Sequence, residues 1–238
     1  MASAAAPGLI SLMADGVLLD WEGVLADTAD ARREALRAAF SDEGIAFDET
    51  AFANQGAGRS VRSAVARLLG SRAADATLVE LVALRAEREF AARIAQGFAI
   101  DPAAARFTEQ SQLRAPVVIV TAAGRAESEA ALRLAGLHDS CAAIVTADDV
   151  GGDAPAPASY ELALAHLGRR RVVKADRVVV LASGLPEIRA AREAGLRTVA
   201  VKAPAHVALE ADAAVDSLGG LTLDAVDALL GIASGRPA

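Results

Sequence analysis

Five short apolar runs set the frame of this 238-residue chain: GVLLD (16–20), PVVIVT (116–121), AAIVT (142–146), RVVVLA (177–182) and RTVAV (197–201). They are apolar along their length rather than alternating, the pattern of strands buried on both faces. Between most of them lie segments of helical period, such as ESEAALRLAGL (127–137) and PEIRAAREAGL (186–196), each reaching a glycine suited to a helix C-cap. Alternation of this kind predicts an α/β fold: a doubly wound parallel sheet with helices on both faces.

One interval breaks the rhythm. About ninety residues separate the first run from the second, far more than a crossover helix needs. Within it DARREALRAAF (30–40), RSVRSAVARLL (59–69) and TLVELVALRAEREFAARI (77–94) are amphipathic and rich in good helix formers. The expectation is a core formed by 1–29 and 101–238, carrying an inserted helical domain at 30–100.

Composition narrows the function classes. With 53% hydrophobic and 23% charged residues the chain can bury one sizeable core. A net charge of -7 and only 3% aromatic residues argue against nucleic acid, which calls for basic surfaces and stacking platforms. Cys141 is the single cysteine, so no intrachain disulfide can form, and it reads as a small buried hydrophobe. MASAAAPGLISLMADG carries no Lys or Arg before its apolar stretch, unlike a usual secretory signal, and no uncharged apolar run reaches membrane-spanning length. A cytoplasmic protein without a membrane partner is expected. His138, His166 and His206 lack metal-ligand spacing, and Arg169–Arg171 reads as a solvated helix end.

Ligands of open parallel sheets bind beyond the carboxyl ends of the strands, so the residues there carry the functional reading. The first run ends in LLDWEGVLADT, with Asp20 at the strand end, Glu22 two residues on, and Gly23 at a tight turn. This segment resembles the nucleophile motif of the haloacid dehalogenase superfamily, Asp-x-Asp-Gly-[Thr/Val]-Leu-x-[Asp/Glu]-[Ser/Thr], most of all the branch with beta-phosphoglucomutase and phosphoglycolate phosphatase. The resemblance extends over about 14–231 and implies a Rossmann-like core with a helical cap. It assigns Asp20 as the nucleophile that becomes an aspartyl phosphate and Glu22, in place of the usual Asp, as acid and base.

The second strand end, VVIVTAAGR, resembles the motif in which a Thr hydroxyl and the following backbone N–H bind a phosphoryl oxygen, here Thr121 and Ala122. Arg125 stands where the family often has Arg or Lys. In the insertion, QGAGRS (55–60) resembles a cap segment whose arginine contacts substrate, which points to Arg59.

Two further motifs depart from the family. TADDVGGDAPAPASYELALAHLG matches at Asp149, Val150, Pro155, Ala156, Pro157 and Tyr160, but Ala154 stands at the position of the lysine that normally neutralises nucleophile and phosphate. Lys202, just beyond the fifth strand, and Arg125 are the candidate replacement cations. At the fourth motif Ser183 or Ala182 occupies the place of the magnesium-binding Asp, and Glu187, four residues after Ser183, is the candidate substitute for it alongside Asp20. The resemblance thus implies Mg2+ as cofactor while removing one of its acids.

Two readings follow. In one, phosphoryl transfer is reduced or lost and the pocket binds a small phosphorylated metabolite or a protein partner. In the other, the protein is an active magnesium-dependent phosphatase or phosphomutase using Asp20, Glu22 and Glu187. Metal-free dehalogenation is a weaker third, because those relatives retain the lysine replaced here by Ala154.

Overall fold

The computed structural model describes residues 13–151 and 156–232. Six strands, β1 (Gly16–Asp20), β4 (Val117–Val120), β5 (Ala143–Val145), β6 (Val178–Ala182), β7 (Arg197–Val201) and β8 (Ala213–Val215), form one sheet in the order β5-β4-β1-β6-β7-β8. Every neighbouring pair is parallel. The five strands read from sequence are all present, and β1 lies centrally, with Leu19 opposite Ile119 on one side and Leu181 on the other.

The side chains of β1 divide between two cores. Val17 and Leu19 point into a layer with Phe107 of α5 (Pro102–Gln112), Leu132 of α6 (Arg125–Leu134) and Val226 of α10 (Leu223–Leu229). Leu18 enters the opposite layer with Tyr160 and Leu167 of α7 (Pro157–Gly168), Ile188 of α8 (Leu185–Glu193) and Val207 of α9 (Ala205–Ala208). This accounts for the unbroken apolarity of the central runs: β1, β4 and β6 are buried along their whole length. Both expected C-cap glycines, Gly136 and Gly195, have positive φ (70° and 77°), a conformation that only glycine adopts without strain.

The long interval after β1 is helical, as its periodicity predicts. It contains α1 (Ala29–Asp42), α2 (Glu49–Ala51), α3 (Val61–Leu69) and α4 (Ala76–Ala95), which bury a core of their own around Leu36, Phe40, Val65, Val82 and Ala86. Ala35 of α1 and Phe90 and Ile94 of α4 instead join the layer over the sheet, so the insertion is seated on the core by apolar contact. The chain enters through β2 (Ala26–Asp27) and leaves through β3 (Ala99–Ile100), and these two segments pair antiparallel. The two crossings are therefore tied to each other beside the end of β1.

Among the described residues no helix is long and apolar enough to cross a membrane. Leu18 is fully buried on the central strand. Leu18→Ala is expected to destabilise the protein by roughly 2–5 kcal/mol through lost burial and a residual cavity, measurable by urea denaturation.

Candidate active site

The cleft lies between the carboxyl ends of β1 and β4 and the helical insertion, and encloses about 90 Å³. That is room for roughly half a dozen waters, or for one phosphoryl group and little more. The core side supplies Asp20, Trp21, Glu22, Thr121, Ala122, Ala123, Tyr160 and Glu187, and the insertion supplies Ala29, Arg32, Phe52, Ala57, Gly58 and Arg59. Asp20, Glu22, Thr121, Ala122, Arg59 and Glu187, all anticipated from sequence, converge here.

Asp20 is the last residue of β1 and only 7% exposed. Burial pushes its carboxyl well above the usual range, the charges of Glu187 and Glu22 push it further, and the backbone N–H groups of Trp21 and Glu22 oppose the shift. Tyr160 is buried beside the same carboxylates; burial first, then Asp20 and Glu187, raise its phenol.

Glu187 sits in the first turn of α8 and is also buried. Its carboxyl is pushed up to about 7, chiefly by burial, against the pull of its own backbone N–H. Gly184 makes its placement possible, since a Cβ there would lie 2.0 Å from Glu187 Oε2. That Oε2 is buried without a hydrogen-bond partner.

Glu22 lines the cavity, and its carboxylate is held by the start of the insertion. Its carboxylate accepts from the backbone N–H of Thr28 (2.9 Å) and of Ala29 (3.1 Å), and from the Thr28 hydroxyl. Thr28 is the N-cap residue of α1 but makes no side-chain cap bond, so Glu22 satisfies the first N–H groups of that helix in its stead. The Glu22 carboxylate thus joins the loop after β1 to the start of the insertion.

Ser183, where the resemblance places a metal acid, donates its hydroxyl to the Glu22 carbonyl at 3.0 Å. A Cβ on Gly23, whose φ is 74°, would fall 2.2 Å from Ser183 Oγ. The side chain at 183 thus braces the loop that follows Asp20. Ala182 is fully buried at the end of β6. Thr121 Oγ1 accepts from Ala123 N–H at 3.1 Å, leaving its own proton available as a donor. Ala154 lies outside the described residues.

Both proposed replacement cations prove to be engaged elsewhere. Arg125, at the start of α6, donates to Asp149 at 2.6 Å and to the Ile144 carbonyl at 3.1 Å, with Glu129 at 3.4 Å. Lys202 pairs with Asp101 in a separate cleft beside β2 and β3. Neither lines the Asp20 cavity. Their strand-end and helix-start positions suggested proximity, but local carboxylates claim both side chains first.

Arg32 was missed. It lies in the first turn of α1 inside an amphipathic run whose charges read as solvent-facing, yet its side chain is only 13% exposed and lines the cavity. No periodicity distinguishes it from Arg33 beside it. Tyr160 was recognised as part of a motif without being assigned to the site.

The model of a haloacid dehalogenase-like hydrolase matches residues 14–195, about three quarters of the chain. The protein belongs to that family. It is 28% identical over 182 residues to validoxylamine A 7'-phosphate phosphatase of Streptomyces hygroscopicus subsp. limoneus, covering 75% of this chain and 81% of the relative. Among solved structures it is similar to CbbY of Rhodobacter sphaeroides in complex with phosphate, with 25% identity, a TM-score of 0.76, and coverage of 90% of this chain and all of that one. The beta-phosphoglucomutase of Clostridium difficile superposes with a TM-score of 0.81 at 18% identity, over 92% and 98% of the two chains, a likeness of fold.

Among the described residues no group of three or more His, Cys, Asp or Glu is arranged to hold a metal ion. Two carboxylates that share a cavity, Asp20 and Glu187, nonetheless suit magnesium, which commonly takes one or two carboxylates and fills its shell with water and ligand phosphate. The unpartnered Oε2 of Glu187 is the observation in favour of that fit.

A raised carboxyl gives a signed pH dependence. Below the unfolded pKa, near 4.5, Glu187 is neutral in both states and carries no penalty; as pH rises toward about 7 its favourable protonated state in the fold is lost. Metal-free Glu187→Gln is therefore expected to have a higher Tm than wild type at pH 8 and a difference that shrinks toward pH 4.5, as read by calorimetry in EDTA.

Proposed function

We propose that this protein binds a small phosphate monoester in the cleft under its cap and transfers the phosphoryl group far more slowly than an intact motif set allows. The electrostatics at Asp20 carry this reading: burial first, and then the charges of Glu187 and Glu22, raise its pKa, and the groups that chiefly oppose them are backbone N–H donors. A phosphate entering the cleft adds negative charge to that cluster. A unit charge pair about 4 Å apart is worth roughly 4 kcal/mol at an effective dielectric near 20. At ~1.4 kcal/mol per tenfold, the missing lysine costs on the order of a thousandfold in rate. The named relatives support the ligand class: one is a validoxylamine A 7'-phosphate phosphatase, and CbbY is described with phosphate and, in a mutant form, with xylulose-(1,5)bisphosphate.

In this reading the Thr121 hydroxyl and the Ala122 backbone N–H orient a phosphoryl oxygen. Asp20 is placed for attack on phosphorus, but burial and the neighbouring carboxylates favour its protonated, non-nucleophilic form more than in an ordinary carboxyl. Glu22 serves as acid and base only after releasing the start of α1.

A second reading, magnesium-dependent phosphatase or phosphomutase activity, is favoured by the pairing of Asp20 with the unpartnered Glu187. Asp20 and Glu187 would hold such an ion, which would add positive charge beside the nucleophile. Steady-state hydrolysis of para-nitrophenyl phosphate and sugar phosphates with magnesium separates the two. Attenuated transfer predicts very low kcat/KM in wild type and a gain of about a hundredfold or more in the Ala154→Lys/Ser183→Asp variant. Ordinary enzyme rates in wild type, abolished by Glu187→Gln, would establish the second reading instead.

A further inference from the structure

Arg32 is an unusual residue for its position. A cation in the first turn of a helix opposes the helix dipole, and burial of a guanidinium demands acceptors for its donors. Arg32 meets only part of that demand: Nη2 donates to Glu127 Oε1 of α6 at 2.9 Å, and Cζ lies 4.6 Å from the centre of the Phe90 ring on α4. Its Nη1 is buried without a partner. Three elements thus converge to hold a planar cation at the wall of a cavity that also contains Asp20, Thr121 and Glu187.

Glu127 does not simply cancel that charge. Its carboxyl is buried and its pKa raised, first by burial and then by Glu87 and Asp148, which face it from α4 and from the segment after β5; Arg32 pulls it down. Glu87 is in turn raised by burial, Asp148 and Glu80, and lowered by Arg62 and Arg32. The seam between cap and core therefore holds more acid than base, and Arg32, which pairs across it, also lines the Asp20 cavity together with Arg59. A guanidinium with a spare donor at the wall of a cavity that holds Asp20 and Glu187 is suited to a tetrahedral oxyanion, which accepts planar, paired N–H donors.

We propose that Arg32 is an anion-binding residue of this site, supplying positive charge from the cap beside Asp20, with Glu127 and Phe90 as the positioning residues that aim it. The inference rests on the phosphate-binding reading above and adds a group that favours such binding. It also ties ligand affinity to the seating of the cap, because the cation and Thr121 belong to opposite walls.

Inorganic phosphate titrated into the metal-free protein in EDTA tests this, read by calorimetry and by fluorescence of Trp21, the sole tryptophan, which lines the cavity. Arg32→Met, which leaves an apolar stem over Phe90, is expected to weaken phosphate binding at least tenfold. Arg32→Lys restores part of that loss, and millimolar guanidinium restores part of it in Arg32→Ala, a rescue that a merely structural defect would not show. Glu127→Gln gives an intermediate loss, while Arg125→Met, outside the cavity, binds as wild type. Unchanged affinity in Arg32→Met, or a loss that neither lysine nor guanidinium recovers, overturns the role of Arg32 while leaving phosphate binding intact. Absence of phosphate binding by wild type overturns both the binding reading and this inference.

Discussion

The crowding of carboxylates at the carboxyl end of β1 is the constraint around which the site is organised. Asp20 is fixed there by the central strand of the sheet, Glu187 is folded over Gly184 in the first turn of α8, and Glu22 follows on the same loop as Asp20. Burial weakens water's ability to screen these groups from one another, so Asp20 and Glu187 both hold their protons to higher pH. An arrangement of this kind either binds a cation or repels an anion.

The cap and core are coupled through the same charges. Glu22 joins the loop after Asp20 to the first N–H groups of α1, Ser183 braces that loop through the Glu22 carbonyl, and Arg32, one helical turn along α1, returns to Glu127 on the core. The antiparallel pairing of β2 with β3 binds the two crossings beneath them. A movement of the cap would shift Glu22 and Arg32 together, one toward Asp20 or away from it and the other with respect to the ligand.

Much of this was legible in the sequence, for definable reasons. Strands buried on both faces are apolar throughout, so all five runs could be read directly, and the cap helices showed themselves by period and by the length of the interval. Asp20 and Thr121 could be found because they stand at strand ends of a parallel sheet in segments that resemble family motifs, and Glu187 through that resemblance. Lys202 and Arg125 could not be judged, since their engagement depends on Asp101 and on Asp149 and Glu129, partners that only the folded geometry brings within reach. Arg32 was hidden for the opposite reason: a charged residue on an amphipathic helix reads as solvated, and only the docking of α1 against α4 and α6 buries it.

The measurement that bears most directly on this account is metal-free phosphate affinity in wild type and in Asp20→Asn at pH 8.5. If unbalanced negative charge at Asp20 governs the site, the isosteric neutral side chain tightens phosphate binding by about tenfold or more, equivalent to ~1.4 kcal/mol. An affinity that is unchanged or weaker in Asp20→Asn would show that the charge on Asp20 is already compensated, and would contradict the account.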